Sequence, residues 1–403
     1  MMTPRQHLDL SESAVLRVLR SLLAAELTAA GRRIRAEEAA LWPADLALDE
    51  SGLGLDSLER LTCAAAVNAF FHLHETGIED YLLARHTLSG WAEVVRAALA
   101  EGVSGLTVTT SGSTGERRPC THSAARLLAE GAHWAGRFAD RRRILALVPA
   151  HHIYGFLFTA LLPDLLGLPV QDARALAPGR LLREVAPGDL LVGFPTGFSG
   201  LLRSIGPAIL PADVEAVSST APLPAGIHHA LRGVGFGRVT EVYGSSETGG
   251  IATRIAPEES FRLLPWWRPG EAGSIVDAET GQPVPLPDNA VFDKQGGFHL
   301  HGRKDRAVQV GGVNVYPDRI AARLREHPLV ADCVVRLDSR LAEPRLKAFA
   351  IPAPGAEPQR LAAELEAWCR SALSAPERPV RIDCGPALPV SELGKLTDWE
   401  AAA

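Results

Sequence analysis

Residues Leu106–Gly115 run LTVTTSGSTG. A short apolar run containing Val108 gives way abruptly to Thr109, Thr110, Ser111, Gly112, Ser113, Thr114 and Gly115. That change of pattern is how a strand ending in an anion-binding loop is written. The two glycines let the backbone turn and approach a ligand closely. The hydroxyls of Thr110, Ser111, Ser113 and Thr114 then gather with backbone N–H groups on one spot, a nest suited to phosphate. The loop is not of the G-x-x-x-x-G-K-[ST] type, because no Lys-Ser/Thr pair follows Gly115. Taken alone, the same residues also read as a polar turn.

Three further segments follow in order. They are EVYGSSETGG (Glu241–Gly250), GFHLHGRKDRAVQVGGVNVYP (Gly297–Pro317) and LPVSELGKL (Leu388–Leu396). With TSGSTG they resemble the adenylate-forming superfamily of acyl-CoA synthetases, aryl-acid ligases and peptide-synthetase adenylation domains. The resemblance runs from about residue 103 to the end. It implies an α/β adenylation core over residues 101–302 and a small, mobile α+β lid over residues 303–403.

Composition agrees with such an enzyme. A chain of 403 residues holds two or three domains, and 46% hydrophobic residues suffice for sizeable cores. A net charge of −6 argues against nucleic acid as a partner. Cys63, Cys120, Cys333, Cys369 and Cys384 are scattered and form no C-x-x-C pair, which suits reduced thiols in a cytoplasmic protein. No basic-then-apolar leader and no bilayer-length apolar run is present, so no membrane partner is expected.

Residues 1–100 read as an all-α segment. Val15, Leu16, Leu19, Leu22, Leu23 and Leu27 form a helical stripe. Asp56 is placed to cap a helix from Ser57, with Leu58, Leu61, Ala65 and Val67 among its apolar residues. Two shorter helical pieces follow, IEDYLLA and TLSGWAEVVRAALA. This order resembles an acyl carrier protein. In that family the serine of the D-S-L motif carries phosphopantetheine, which would make Ser57 the attachment point. The same D-S-L also reads as an ordinary cap. The linker LAEGVSGL (Leu99–Leu106) is too short for a swinging arm, so a docked segment with Ser57 unmodified is expected. It would stand in for the long N-terminal subdomain that adenylate-forming enzymes usually have before the phosphate loop.

The resemblance carries roles onto named residues. The loop Thr110–Gly115 and Arg118 would hold the ATP phosphates, with Arg117 and Arg118 standing where the family has Pro-Lys. The stretch RRPCTHSAARLLAEGAHWAGRFA after the loop reads as a core helix. PAHHIYGF places His152 between ATP and the acid. Ser219 and Thr220, where small glycines are common, would narrow the pocket or alter what hydrogen-bonds the carboxylate. Tyr243 would lie against adenine, Ser246 on phosphate or carboxylate, and Glu247 on Mg²⁺, the metal ligand. Asp288 would take the ribose diol, although Leu286 and Pro287 replace the family's Thr-Gly. Arg303 would reach the ribose or α-phosphate, and Asp305 would be the hinge. Lys395 would be the catalytic lysine, one of four lysines among 37 arginines.

These roles imply a two-step reaction with ATP and Mg²⁺. A carboxylic acid is adenylated and then passed to a pantetheine thiol of an acyl carrier protein, the preferred acceptor, or of CoA. Bulky residues (His152, Tyr154, Phe156, Phe194, Phe198) favour a compact aryl acid of hydroxybenzoate type. A medium- or long-chain fatty acid, a catalytically silent nucleotide-binding scaffold and a homo-oligomer stay open.

Overall fold

The computed structural model describes residues 7–111, 117–205, 209–304, 307–338, 341, 343–389 and 399. The chain falls into two compact units. One is Met1–Trp267 with Gln295–Gly297, and the other is Arg268–Lys294 with Phe298–Ala403. These units divide the chain by compactness, whereas the three segments read above divide it by motif.

The first unit opens with helices α1 (Glu12–Ala29), α2 (Ala36–Ala39), α3 (Ser57–Phe71), α4 (Tyr81–Ala84) and α5 (Leu88–Glu101). The Ser11 hydroxyl caps α1 by accepting from the Ala14 N–H, and the whole Val15–Leu27 stripe is buried. Asp56 and Glu59 form a reciprocal capping box on α3. Of the four apolar residues read on that helix, Val67 faces inward. Leu58 is 72% exposed and Leu61 52% exposed, while Cys63, Val67, Phe70 and Phe71 are buried. Two phenylalanines remove far more apolar area from water than two leucines near the helix start, so they set the rotation. Ser57 is exposed.

These helices are bonded into the unit. Arg17 Nη1 on α1 donates to the Thr159 carbonyl at 2.7 Å. His72, just beyond α3, meets the Thr107 hydroxyl at 2.8 Å through Nε2. Glu75 accepts from the Ser104 N–H at 2.6 Å.

Strands β1 (Gly105–Ser111) and β2 (Arg117–Ser123) form an antiparallel hairpin in register from Gly105↔Ser123 to Ser111↔Arg117. The stretch after the loop, expected as a helix, is therefore strand for its first seven residues. Pairing with β1 overrides local helix propensity there, and the Ser123 hydroxyl then caps α6 (Ala124–Arg137).

A central sheet follows. Its strands in this unit are β3 (Arg143–Ala146), β4 (Val170–Asp172), β5 (Asp189–Gly193), β6 (Val214–Ser218), β7 (Phe236–Ser245), β8 (Gly249–Arg254) and β9 (Phe261–Leu263). They lie in the order β9-β8-β7-β6-β5-β3-β4. The pairs from β4 through β7 are parallel, and the β7–β8 and β8–β9 pairs are antiparallel. Every residue of β5 is buried, the continuous pattern of a parallel strand covered on both faces. Between β3 and β4 run α7 (Ile153–Phe156), a π-helical turn (Leu157–Leu161) and α8 (Leu162–Leu166). In such sheets ligands collect beyond the carboxyl ends of the strands.

The second unit holds the strand Asp288–Phe292, paired with the part of the strand Gly297–Arg303 from Phe298 on, and a small α+β body. In that body Val330–Asp338 pairs antiparallel with Arg345–Pro352, which pairs parallel with Arg381–Cys384. Two helices, Pro317–Arg325 and Pro358–Ala372, supply Ile320, Leu324, Leu361 and Leu365 to its core. The α/β class, the leading helices and the small C-terminal sheet domain are all as expected. The five cysteines are free thiols, and burial pushes Cys63 up to about 12. Among the described residues no helix is long and apolar enough to cross a membrane.

Candidate active site

Strand β7 delivers the YGSSE motif. Tyr243 to Ser245 are its last residues, and β8 begins at Gly249. The intervening turn is closed by Thr248, whose hydroxyl accepts from the Ser245 N–H at 3.3 Å and lies 3.1 Å from the Ser245 hydroxyl. Tyr243 is half-buried beside Phe261, ring centroids 5.8 Å apart. Ser246 is half-buried and Glu247 is exposed.

Two buried side chains reach this turn from β2 and α6. His122 Nε2 meets the Ser246 carbonyl at 2.8 Å. Burial lowers the His122 pKa, against the bond to Ser246 and the charge of Glu247. Glu130 accepts from the Gly250 N–H at 3.0 Å and from the Trp134 indole at 3.2 Å. Burial raises Glu130 to about 7.

The end of β6 lies beside β7. The Ser219 hydroxyl donates to the Val242 carbonyl at 2.8 Å. Thr220 takes a left-handed backbone, φ 75°, which a β-branched residue rarely adopts. The Leu223 N–H donates to Glu241 Oε1 at 2.8 Å, and Glu241 Oε2 accepts from Arg254 Nε at 2.7 Å. The segment between Ser219 and Leu223 is thus tied to β7 at both ends.

Beyond β3, His152 sits at the N-terminus of α7. Its side chain is exposed, and partial desolvation, then the Arg174 charge, lowers its pKa. Its neighbour His151 meets the Ser21 hydroxyl of α1 at 2.8 Å. Three of the five bulky residues belong to the core. Phe156 and Phe198 are fully buried. The buried Tyr154 hydroxyl bonds the carbonyls of Gly193 (3.0 Å) and Val217 (2.9 Å), bracing the ends of β5 and β6. Of the five bulky residues, only His152 and the half-buried Phe194 keep accessible surface of this kind.

In the second unit Asp288 and Arg303 are direct partners across an antiparallel ladder, with a bulge between Asp288 and Ala290. The Lys304 N–H donates to the Pro287 carbonyl at 3.0 Å and closes that hairpin end. Two sequence candidates fifteen positions apart are therefore brought side by side. In the first unit, Thr110 pairs with the exposed Arg118 across the β1–β2 ladder. Gly112, Ser113, Thr114, Gly115, Asp305 and Lys395 lie outside the described residues. The side chains of Thr110, Ser111 and Arg303 do as well.

Sequence reasoning did not single out His122, Glu130 or Glu241. For Glu130 a signal existed: it falls in the apolar stripe Leu127, Glu130, Gly131, Trp134 of α6, where a solvated acid does not belong.

A family model described as AMP-binding enzyme matches residues 106–303, and one for the AMP-binding enzyme C-terminal domain matches residues 319–395. A protein of Halorhodospira halophila named 4-coumarate–CoA ligase is 41% identical over 393 residues, 96% of this chain and 99% of that protein. One of the same name from Rhodobacter capsulatus is 40% identical over 397 residues, 96% of this chain and all of its own length. The compact length that sets this chain apart from the usual pattern is thus shared by these relatives. Among solved structures, an o-succinylbenzoate CoA synthetase of Bacillus subtilis superposes with a TM-score of 0.60 at 17% identity, covering 95% of this chain and 91% of its own. An amide bond synthetase of Marinactinospora thermotolerans gives 0.56 at 19%, covering 94% and 92%. These coverages take in most of the leading helices.

Proposed function

Because the chain belongs to the AMP-binding enzyme family and is an AMP-forming acid–thiol ligase, we propose that it adenylates a small aryl acid and transfers the acyl group to CoA. The observation that carries this reading is the turn after β7. It presents an exposed carboxylate, Glu247, beside Ser246 and Tyr243, at the carboxyl end of a parallel strand. The names of the full-length relatives support an aryl acid, and they support CoA over a carrier-bound pantetheine as the acceptor.

In the proposed first step the acid's carboxylate attacks the α-phosphorus of ATP and pyrophosphate leaves. The Thr110–Gly115 loop and Arg118 hold the phosphates, Tyr243 packs on adenine, and Asp288 and Arg303 take the ribose. Lys395 stabilises the charge that shifts onto the bridging oxygen. In the second step the thiol attacks the acyl-adenylate carbonyl and AMP leaves, after a rotation about Asp305. His152 borders the acid, and Ser219 and Thr220 narrow its seat. Glu247 suits Mg²⁺, which takes few protein carboxylates and completes its shell with phosphate and water. No cluster of three His, Cys, Asp or Glu side chains competes for it among the described residues. Once bound, the ion offsets negative charge on the phosphates. Residues 1–100 serve as a wall of the enzyme, with Ser57 a plain hydroxyl.

The test is thioester formation from ATP and Mg²⁺. 4-Coumarate, hydroxybenzoates and medium- and long-chain fatty acids are each supplied with CoA or with a pantetheinylated carrier protein. A CoA thioester of an aryl acid is expected. Products from fatty acids alone would overturn the aryl assignment, and products on the carrier alone would overturn the acceptor.

A further inference from the structure

We infer that His122 and Glu130 are positioning residues for Glu247, holding its turn from both sides. This rests on the reading of Glu247 given above. Glu130 is 2% exposed, and a carboxyl taken out of water persists only where its oxygens are bonded. Its partners are the Trp134 indole and the Gly250 N–H. The Gly250 carbonyl accepts in turn from the indoles of Trp266 (3.1 Å) and Trp267 (2.8 Å), so both backbone groups of Gly250 are fixed.

The pair Gly249–Gly250 follows from this contact. A Cβ on Gly249 would stand 2.8 Å from Glu130 Oε2, and one on Gly250 would stand 2.5 Å from Oε1. Gly249 also has φ +68°, open to glycine at little cost. Only glycines let the Glu130 carboxyl come this close to the backbone.

The other side of the turn is held by His122, 5% exposed, which faces the Ser246 carbonyl and so carries its proton on Nε2. His122 lies on β2, the arm that leaves the Ser/Thr/Gly loop. One histidine therefore links the arm of the phosphate loop to the residue before Glu247. Glu247 is exposed, yet its backbone is pinned one residue before it and three residues after it. A side chain that is free in solvent is aimed by a backbone that is not.

The test compares His122→Phe and Glu130→Leu, which remove the bonding groups, with His122→Gln and Glu130→Gln, which keep one. Calorimetry measures ATP binding with and without Mg²⁺, in the absence of acid. Pyrophosphate exchange gives the Mg²⁺ concentration for half-maximal rate. In the Phe and Leu variants the Mg²⁺-dependent part of ATP affinity falls by about tenfold, and the half-maximal Mg²⁺ concentration rises in step. ATP binding without Mg²⁺ stays as in wild type, and the Gln variants recover most of the loss. A lower melting temperature with unchanged Mg²⁺ dependence would overturn the inference, as would equal loss with and without Mg²⁺. Should Glu130→Leu fail to fold, His122→Phe alone decides. Glu247→Ala is the control. If it binds ATP with Mg²⁺ like wild type, the reading of Glu247 fails and the positioning role with it. If Glu247→Ala loses that binding while His122→Phe keeps it, only the positioning role fails.

Discussion

The Ser21 hydroxyl on the first helix lies 2.8 Å from Nδ1 of His151, on the segment that leads from β3 into α7. The ring of His152 lies tilted against that of His151, 4.3 Å between centroids. A residue from the leading helices therefore steadies the histidine proposed to border the acid. Ser21→Ala removes one partly buried hydrogen bond, worth about 1 kcal/mol. The KM for the acid should rise about fivefold, with the KM for ATP unchanged. Steady-state kinetics with each substrate varied checks this, and a change confined to ATP would contradict it.

Thr220 is held in the left-handed region at φ 75°, a strain of about 1–3 kcal/mol for such a residue. Glycine relieves it, less about 0.5–1 kcal/mol of backbone entropy. Thr220→Gly should raise the melting temperature by roughly 1–3 °C. A widened seat beside Ser219 should also admit a bulkier acid. Thermal unfolding decides the first point, since a lower melting temperature would mean that the backbone there is not strained.

Glu130 gives a pH dependence with a definite sign. Burial raises its pKa from 4.5 to about 7, against the Trp134 and Gly250 bonds and the Arg126 charge. The folded protein therefore binds this proton more tightly than the unfolded chain. The resulting stability is complete below about pH 4.5 and is lost as pH rises through about 7, on the order of 3 kcal/mol in all. Glu130→Gln cannot titrate. Wild type should lose melting temperature relative to Glu130→Gln between pH 5 and 8. Parallel curves would contradict this.

Lys347 is fully buried, donates to the Trp399 carbonyl at 3.0 Å and lies 4.7 Å from the centre of its indole. The Trp399 indole N–H donates to Asp383 at 2.8 Å. Trp399→Ala removes a buried aromatic and leaves a buried ammonium with less support. It should destabilise the second unit by about 3–5 kcal/mol. Urea unfolding followed by circular dichroism tests this, and a loss under 0.5 kcal/mol would contradict it.

The motifs were legible because each is local. A strand, a turn and a few side chains within ten residues report their own chemistry, and Asp288 and Arg303 needed only one hairpin to meet. The all-α start and the α1 stripe were legible because helical period records burial. What was not legible depends on partners far along the chain. Glu130 meets Gly250 across 120 residues and His122 meets Ser246 across 124, and sequence does not record which buried polar group finds which backbone group. The β2 strand was read as helix because only its ladder with β1 makes it a strand. That Tyr154 and Phe198 belong to the core was not legible either, because an aromatic near a motif looks the same in sequence whether it faces a ligand or a core.

ATP–pyrophosphate exchange across a panel of aryl and fatty acids, with wild type and Lys395→Ala, decides whether the chain adenylates a carboxylic acid with Lys395 at the reacting centre. Acid-dependent exchange is expected in wild type, strongest with an aryl acid. Lys395→Ala should lose more than about a hundredfold, the effect of removing about 3 kcal/mol of transition-state stabilisation. No exchange with any acid, or Lys395→Ala within about threefold of wild type, a difference under about 0.7 kcal/mol, would contradict this.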